Sequence, residues 1–189
     1  MSQNEAYSLA DYVADLKRIT ATTPKYSAVF DQVGPLARKL ALAKNSWLKP
    51  EFYEFDDEKG YSAYLLYEES DHSLAIFAVT WGPHGGTPPH DHGTWVVVAG
   101  VEGEELNIKY NRVDDRSRPD YAELEERCVF TANAGDVVCL KPRGIHVVRN
   151  DTDHITLSLH TYGRHFDYTE RTAFNLKTNE VYPLVVDVR

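Results

Sequence analysis

The sequence PPHDHGTWVVV, residues 88–98, places two histidines one residue apart in front of a run of β-branched side chains. Such a run is typical of a buried β-strand. In extended backbone, residues i and i+2 point to the same side, so His90 and His92 can direct two imidazoles to one point while Asp91 faces away. The two prolines restrict the backbone before His90 and reduce the entropy lost on ordering the ligands. This stretch predicts a strand whose entrance carries two metal ligands.

Similar strand-like segments recur from residue 61 to residue 186. Each is rich in Val, Ile, Tyr and Thr, and Gly, Pro, Asn or Asp separates it from the next. This rhythm predicts an antiparallel all-β sandwich or barrel rather than alternating βαβ units. The polar stretch 111–127 is predicted to be a solvent-facing loop or hairpin tip.

The first fifty residues have a helical pattern. Residues 8–20 carry apolar side chains at helical spacing, and Ser8 and Asp11 are expected to cap that helix. A second helix is predicted over residues 27–42, with Gly34–Pro35 expected to break or kink it. We therefore expect a small helical cap, followed by the barrel.

Composition limits the domain organisation and the partners. The chain has 189 residues, 42% of them hydrophobic, and a net charge of −9. We expect one structural domain, with residues 1–50 as the helical cap and residues 51–189 as the barrel. No dense Lys/Arg block is present, so we expect neither nucleic acid nor an anionic membrane as partner. The start does not resemble a secretory signal and only two cysteines occur, which favours a cytoplasmic protein.

Two further histidines lie in strand-like segments. His146 occurs in KPRGIHVVRN and His160 in SLHTYG. In a strand, Ser158, His160 and Tyr162 line one face, where a hydroxyl, an imidazole and a phenol can form a hydrogen-bond chain. The alternative is three polar residues on a solvent-facing strand. For the first histidine pair, the alternative is two ordinary surface histidines.

The spacing of these residues resembles the two cupin motifs, with some spacers off by one. The matching positions are Gly85, His90, His92 and Gly103 in the first motif, and Gly135, Pro142, Gly144, His146 and Asn150 in the second. The resemblance implies a cupin-type double-stranded β-helix, a jelly-roll barrel. Where many cupins carry a metal-binding Glu, four residues after His92, this chain has Val96. The expected ligands are therefore three neutral imidazoles, which leave coordination positions open.

From about residue 61 to residue 174 the sequence also resembles the thiol dioxygenase family, which includes cysteine dioxygenase and bacterial 3-mercaptopropionate dioxygenase. The resemblance implies that a small thiol is oxidised with O2 to a sulfinate at a mononuclear Fe(II). It assigns the iron ligands to His90, His92 and His146. It assigns an outer-sphere catalytic triad to Ser158, His160 and Tyr162. Zinc or nickel would satisfy the same imidazoles, so the ligands alone do not select iron.

The resemblance also suggests how a substrate carboxylate is bound. Arg171 falls at the position of the carboxylate-binding arginine of the bacterial enzymes, and Arg164 is a second candidate nearer to the triad. Ala63 stands where relatives carry an arginine or a glutamine. The substrate expected is 3-mercaptopropionate, mercaptosuccinate or cysteine. Mercaptosuccinate has two carboxylates and could use both arginines, with the small Ala63 side chain leaving room for it.

Two other functions remain open from the sequence. The chain could be a cupin dioxygenase of different chemistry, such as a diketone-cleaving enzyme, which can also use three histidines. It could also be a non-catalytic cupin that binds a metal or a small ligand. The expected partners of an enzyme are a small thiol and O2, while the oligomeric state does not follow from the sequence.

Overall fold

The computed structural model describes residues 7–23 and 25–189. Residues 1–6 of the predicted helical cap lie outside these ranges. The chain forms two helices, α1 (Leu9–Thr22) and α2 (Tyr26–Leu42), followed by ten strands. The strands are β1 (Tyr61–Glu68), β2 (Ala75–Trp81), β3 (Val96–Glu102), β4 (Glu104–Arg112), β5 (Leu124–Asn133), β6 (Val137–Leu140), β7 (Ile145–Arg149), β8 (Thr156–Tyr162), β9 (Thr172–Phe174) and β10 (Val181–Pro183). Within the described residues, no helix is both long and apolar enough to cross a bilayer.

Two antiparallel sheets form the barrel. One has the strand order β1-β2-β8-β3-β6 and the other the order β5-β4-β7. The segment 86–92 runs beside β7, to which it is joined by antiparallel bridges at Gly86 and His90. From β2 to β8, successive segments thus cross between the two sheets, except at the β4–β5 hairpin, which is the jelly-roll arrangement. The predicted fold class, a mainly β cupin-type double-stranded β-helix with an N-terminal helical subdomain, is confirmed.

The five-stranded sheet is covered on both faces. Strands β2 and β8 are buried at every position, which explains why they read as almost continuous apolar runs. On the outer face, Leu159 and Thr161 of β8 meet the helices, and the Tyr12 hydroxyl of α1 lies 2.8 Å from the Thr161 hydroxyl. On the inner face, Phe77 and Tyr162 belong to the core that the two sheets share. The inner face of β8 can therefore present polar side chains to the barrel interior.

The helices agree with the predictions except at one position. The predicted Ser8–Asp11 capping box is present, with the Asp11 backbone N–H donating to the Ser8 hydroxyl at 3.2 Å. A break at Gly34–Pro35, one of the two expected outcomes, is wrong, because α2 continues through Pro35. Proline in a helix interior costs about 3 kcal/mol. Complete burial of Val33 and Leu40 on either side offsets this, since each buried side chain contributes about 1.5–3 kcal/mol.

Candidate metal centre

Strand pairing brings the three predicted histidines together. The His90 backbone N–H donates to the His146 carbonyl at 2.9 Å, and the His146 N–H donates to the His90 carbonyl at 3.0 Å. Residues paired in this way project their side chains from the same face, and His92 returns to that face two residues later. The three rings lie with centroids 4.7–5.0 Å apart. One ligand atom from each lies within 4.8 Å of the others, a group that could hold a metal ion.

Hydrogen bonds orient two of the three imidazoles. His90 Nδ1 donates to the Pro88 carbonyl at 3.0 Å, and His146 Nδ1 lies 3.3 Å from the Asn107 side-chain oxygen. These contacts fix the rings and leave Nε2 free for a metal. His92 Nδ1 is buried and has no hydrogen-bond partner among residues 7–23 and 25–189, so this ring is not anchored in the same way. Buried unpaired nitrogens are costly, and a cation at the cluster is the partner that these three rings lack.

The protonation state of the cluster suits a metal. Burial, together with the nearby positive charge of Arg171, lowers the pKa of His90 to about 3. Burial and the neighbouring imidazoles hold the pKa values of His92 and His146 well below the ordinary range. All three side chains are therefore neutral near pH 7, as metal ligation requires.

No carboxylate joins the three imidazoles within the described ranges. Val96 stands four residues after His92, in place of the ligating Glu of the motif. It is fully buried in the apolar wall between the two sheets. A divalent ion held by three neutral ligands keeps its full charge. Such a site favours an anionic exogenous ligand.

The predicted polar series on β8 faces the barrel interior. The Ser158 hydroxyl lies 3.0 Å from His160 Nε2, and His160 Nδ1 lies 3.4 Å from the Tyr162 hydroxyl. The Trp81 indole N–H donates to the Ser158 hydroxyl at 3.4 Å. All three β8 residues are buried, so the alternative of a solvent-facing strand is wrong. The Tyr162 ring lies 6.1 Å from the His92 ring between centroids, so this chain ends beside the histidine cluster.

Arg171 lies in the same cavity. Its side chain is only 9% exposed, and its Nε is buried without a hydrogen-bond partner. Its guanidinium carbon lies 5.0 Å from the centre of the Phe166 ring. Among residues 7–23 and 25–189, no carboxylate forms an ion pair with it. A buried cation without a partner is costly to keep, and it marks the place where an anion would bind.

Asp91 couples this arginine to the metal ligands. Its backbone N–H donates to the Thr172 carbonyl at 2.9 Å, and its carboxylate accepts the Thr172 N–H at 3.0 Å. Asp91 lies between the two histidines of the H-x-H segment, and Thr172 directly follows Arg171. Asp91 therefore holds the segment of the histidine ligands next to the segment that carries Arg171.

Arg164, the second predicted carboxylate-binding residue, lies elsewhere. It is exposed, its Nε donates to the Tyr168 carbonyl at 2.9 Å, and it is absent from the cavity lining. The β8 strand ends at Tyr162, and Arg164 lies in the exposed turn that follows it, whereas Phe166 and Arg171 line the cavity. The expectation that two arginines could hold two carboxylates is therefore not supported by their positions.

The cavity in front of the histidines is small, with a volume of about 30 Å³. The histidines, His160, Tyr162 and Arg171 form its polar part. The remaining lining residues are Tyr61, Ala63, Val79, Trp81, Thr87, Val148, Phe166 and Val186. No acidic side chain lines it. The cavity therefore combines a metal-binding cluster, one cation and apolar walls.

Several residues of this site were not anticipated. Asn107 and Glu105 alternate on β4 and point into the barrel, where both are buried. Their alternation is visible in the sequence EELNIKY. Polar residues at alternate positions of a strand usually face solvent. The sequence pattern alone therefore predicts that Glu105 and Asn107 point outward, whereas the structure places them inside the barrel.

Comparison with known proteins finds distant structural likenesses. No protein-family model matches the chain. Similar solved structures include an oxalate oxidase, with 15% identity, 62% of this chain and 59% of that chain aligned, and a TM-score of 0.45. An uncharacterised protein with a double-stranded β-helix domain from Klebsiella pneumoniae subsp. pneumoniae MGH 78578 has 12% identity, 67% and 94% coverage and a TM-score of 0.46. A DMSP lyase from Ruegeria pomeroyi DSS-3 has 18% identity, 66% and 57% coverage and a TM-score of 0.44.

Proposed function

We propose that this protein is a non-haem Fe(II) thiol dioxygenase that acts on a small thiol bearing a carboxylate. The reaction is R–SH + O2 → R–SO2H: the S–H and O–O bonds break, two S–O bonds and one O–H bond form, and the thiol supplies all the electrons that reduce O2. One observation carries the proposal. A three-imidazole cluster and a buried arginine without an anionic partner face the same small cavity.

A ferrous ion held by His90, His92 and His146 would supply the redox chemistry between the thiol and O2. Arg171 binds the substrate carboxylate, because its planar fork pairs with both carboxylate oxygens. This contact turns the sulfur towards the histidines and replaces a random encounter by a fixed geometry. The apolar walls exclude water, which strengthens the pairing between the guanidinium and the carboxylate.

Ser158, His160 and Tyr162 on β8 provide the hydrogen-bonding groups for proton transfer in the cavity. The Tyr162 hydroxyl is buried, and burial raises its pKa although Arg171 opposes the rise. It therefore stays protonated at neutral pH and can donate a hydrogen bond into the cavity. His160 remains neutral because burial lowers its pKa to about 3. A neutral imidazole donates a hydrogen bond from one ring nitrogen and accepts one at the other, so His160 can link Ser158 to Tyr162 without becoming charged.

The charged side chains that line the cavity favour one of the three candidate thiols over the other two. Among the described residues, Arg171 is the only positively charged side chain that lines the cavity, and no acid lines it. In a thiol with one carboxylate, such as 3-mercaptopropionate, that carboxylate pairs with Arg171. The second carboxylate of mercaptosuccinate and the ammonium group of cysteine would each be desolvated without an oppositely charged side chain among the lining residues, which is costly. We therefore propose 3-mercaptopropionate as the preferred substrate of the three.

Oxygen uptake tests the activity and the ranking together. Protein loaded anaerobically with Fe(II) is mixed with 3-mercaptopropionate, mercaptosuccinate, cysteine and cysteamine. We expect the highest kcat/KM for 3-mercaptopropionate, and a value at least about 30-fold lower for cysteamine, which lacks the carboxylate. Equal rates with cysteamine would contradict the arginine contact. No uptake with any thiol would exclude the activity and favour a diketone-cleaving or ligand-binding cupin.

The variant Tyr162→Phe tests the role of the phenol. We expect it to keep its iron and lose about 100-fold in kcat, since a positioned proton donor contributes this much. Iron content is measured by mass spectrometry and kcat by oxygen uptake. The matched control is Tyr12→Phe, which removes a buried hydroxyl bonded to Thr161 on the opposite face of β8. Full activity of Tyr162→Phe would show that the hydroxyl plays no part.

A further inference from the structure

A surface groove adjoins the cavity of the histidine cluster. The groove has a volume of about 680 Å³, against about 30 Å³ for the cavity. Phe166, Arg171 and Val186 line both spaces, so these three side chains form the boundary between them. The histidine cluster can therefore be reached from the groove once this boundary opens.

The closed cavity is too small for the candidate thiols. A single water molecule needs about 10–15 Å³ of such space, so a cavity of about 30 Å³ holds about two or three of them. 3-Mercaptopropionate brings a carboxylate, a carbon chain and a sulfur atom, and the metal ion and O2 need further room. Part of the wall must therefore move when a substrate binds.

Two of the three boundary side chains are firmly held. The Phe166 ring is 4% exposed and stacks on the Phe77 ring, with centroids 4.6 Å apart. The Arg171 guanidinium lies against the other aromatic neighbour of the cavity wall, the Phe166 ring itself, at 5.0 Å. Val186 is only partly buried and lies outside the regular strands. It is therefore the boundary side chain that is most easily displaced.

The backbone around Val186 is held at two ends and not between them. The Leu184 N–H donates to the Arg171 carbonyl at 3.1 Å, and the Arg189 N–H donates to the Ala63 carbonyl at 2.9 Å. Among the described residues, the backbone groups of residues 185–188 form no hydrogen bond. Segments with few backbone hydrogen bonds open at a low cost in free energy, so we expect residues 185–188 to open locally.

The side chains of this segment alternate in exposure. Val186 and Val188 are partly buried against the core that the two sheets share, whereas Val185 and Asp187 are exposed. In extended backbone this alternation means that Val186 points to the barrel and Val185 away from it. Asp187 forms an ion pair with Lys59, but both side chains are exposed, so the pair contributes little to holding the segment.

We propose that a thiol enters the metal cavity from the groove past Val186, and that the two methyl groups of Val186 limit the size of the thiol that the cavity accepts. The limit on substrate size rests on the proposed thiol dioxygenase activity. The opening at Val186 does not depend on that activity and can be measured in the metal-free protein.

The opening is tested with diethyl pyrocarbonate, a reagent that modifies neutral imidazoles. Mass spectrometry follows the initial modification of the three cluster histidines and of the exposed His154 in the same sample. In the wild type we expect the cluster to react at least about 10-fold more slowly than His154, because the reagent reaches it only in the open state. In Val186→Ala we expect the cluster to react about 5-fold faster and His154 to be unchanged, because the closed state loses the packing of two methyl groups.

The matched control is Val185→Ala, which removes the same two methyl groups from a side chain that is 78% exposed. The cluster should react in this variant as it does in the wild type. Cluster modification that is equally fast in the wild type and in Val186→Ala would overturn the proposal. An equal acceleration in Val185→Ala would overturn it as well, since it would reflect a general loosening of the segment.

Oxygen uptake tests the limit on substrate size. 3-Mercaptobutanoate, which carries one methyl group more, is compared with 3-mercaptopropionate. In Val186→Ala we expect the ratio of kcat/KM for the larger thiol to that for the smaller one to rise by about 10-fold, the lower end of what one carbon atom is worth in an apolar pocket. An unchanged ratio would overturn the size limit. If no thiol supports oxygen uptake, the proposed function fails, but the modification rates still decide whether Val186 closes the cavity.

Discussion

Replacement of His146 by alanine should abolish metal binding and turnover together. The loss of an outer-shell partner of a metal ligand typically costs about 10- to 100-fold in affinity or activity. Loss of one of only three ligands should therefore cost more than about 100-fold in Fe(II) affinity. Iron content after anaerobic loading, measured by mass spectrometry, and oxygen uptake with 3-mercaptopropionate check this expectation.

The control for His146→Ala is His154→Ala, which removes an exposed imidazole outside the cavity. Circular dichroism shows whether each variant is folded, which matters because His146 is buried beside Asn107. Wild-type iron content in folded His146→Ala would contradict the assignment of the three-histidine cluster as the metal site.

Replacement of Arg171 by methionine should separate substrates by their charge. Truncation of one partner of a buried charge pair costs about 2–4 kcal/mol, which corresponds to a fall of about 30- to 1,000-fold in kcat/KM for 3-mercaptopropionate. The kcat/KM for cysteamine should be unchanged. The same variant should unfold at a higher temperature in the absence of ligand, because it no longer buries an unpaired charge.

The matched control for Arg171→Met is Arg164→Met, which removes the exposed arginine that the sequence left as an alternative. Steady-state oxygen uptake with both thiols and a thermal melt of the ligand-free protein are the measurements. A parallel loss of activity with cysteamine and 3-mercaptopropionate would mean that Arg171 supports the fold of the site and does not bind the carboxylate.

Local periodicity made much of this site predictable from the sequence. The spacing of His90 and His92 fixes their common direction in extended backbone, and the same rule places Ser158, His160 and Tyr162 on one face of β8. These relations depend only on neighbours in the chain. The strand rhythm likewise predicts the jelly-roll class, because alternation and turn residues are local signals.

Contacts between distant segments were not predictable. The choice between Arg164 and Arg171 depends on β9, a strand of three residues that pairs with the H-x-H segment through the bridge between His90 and Ala173. So short a strand leaves no periodic signal. The orientation of Glu105 depends in the same way on which face of β4 meets the opposite sheet.

The central claim is that three neutral imidazoles hold a ferrous ion at which a thiol reacts with both atoms of O2. The most direct measurement is mass spectrometry of the product formed by Fe(II)-loaded protein from 3-mercaptopropionate under ¹⁸O-labelled O2. We expect a sulfinate that carries two labelled oxygen atoms. A product with one labelled atom or none, or a disulfide in place of the sulfinate, would contradict the claim.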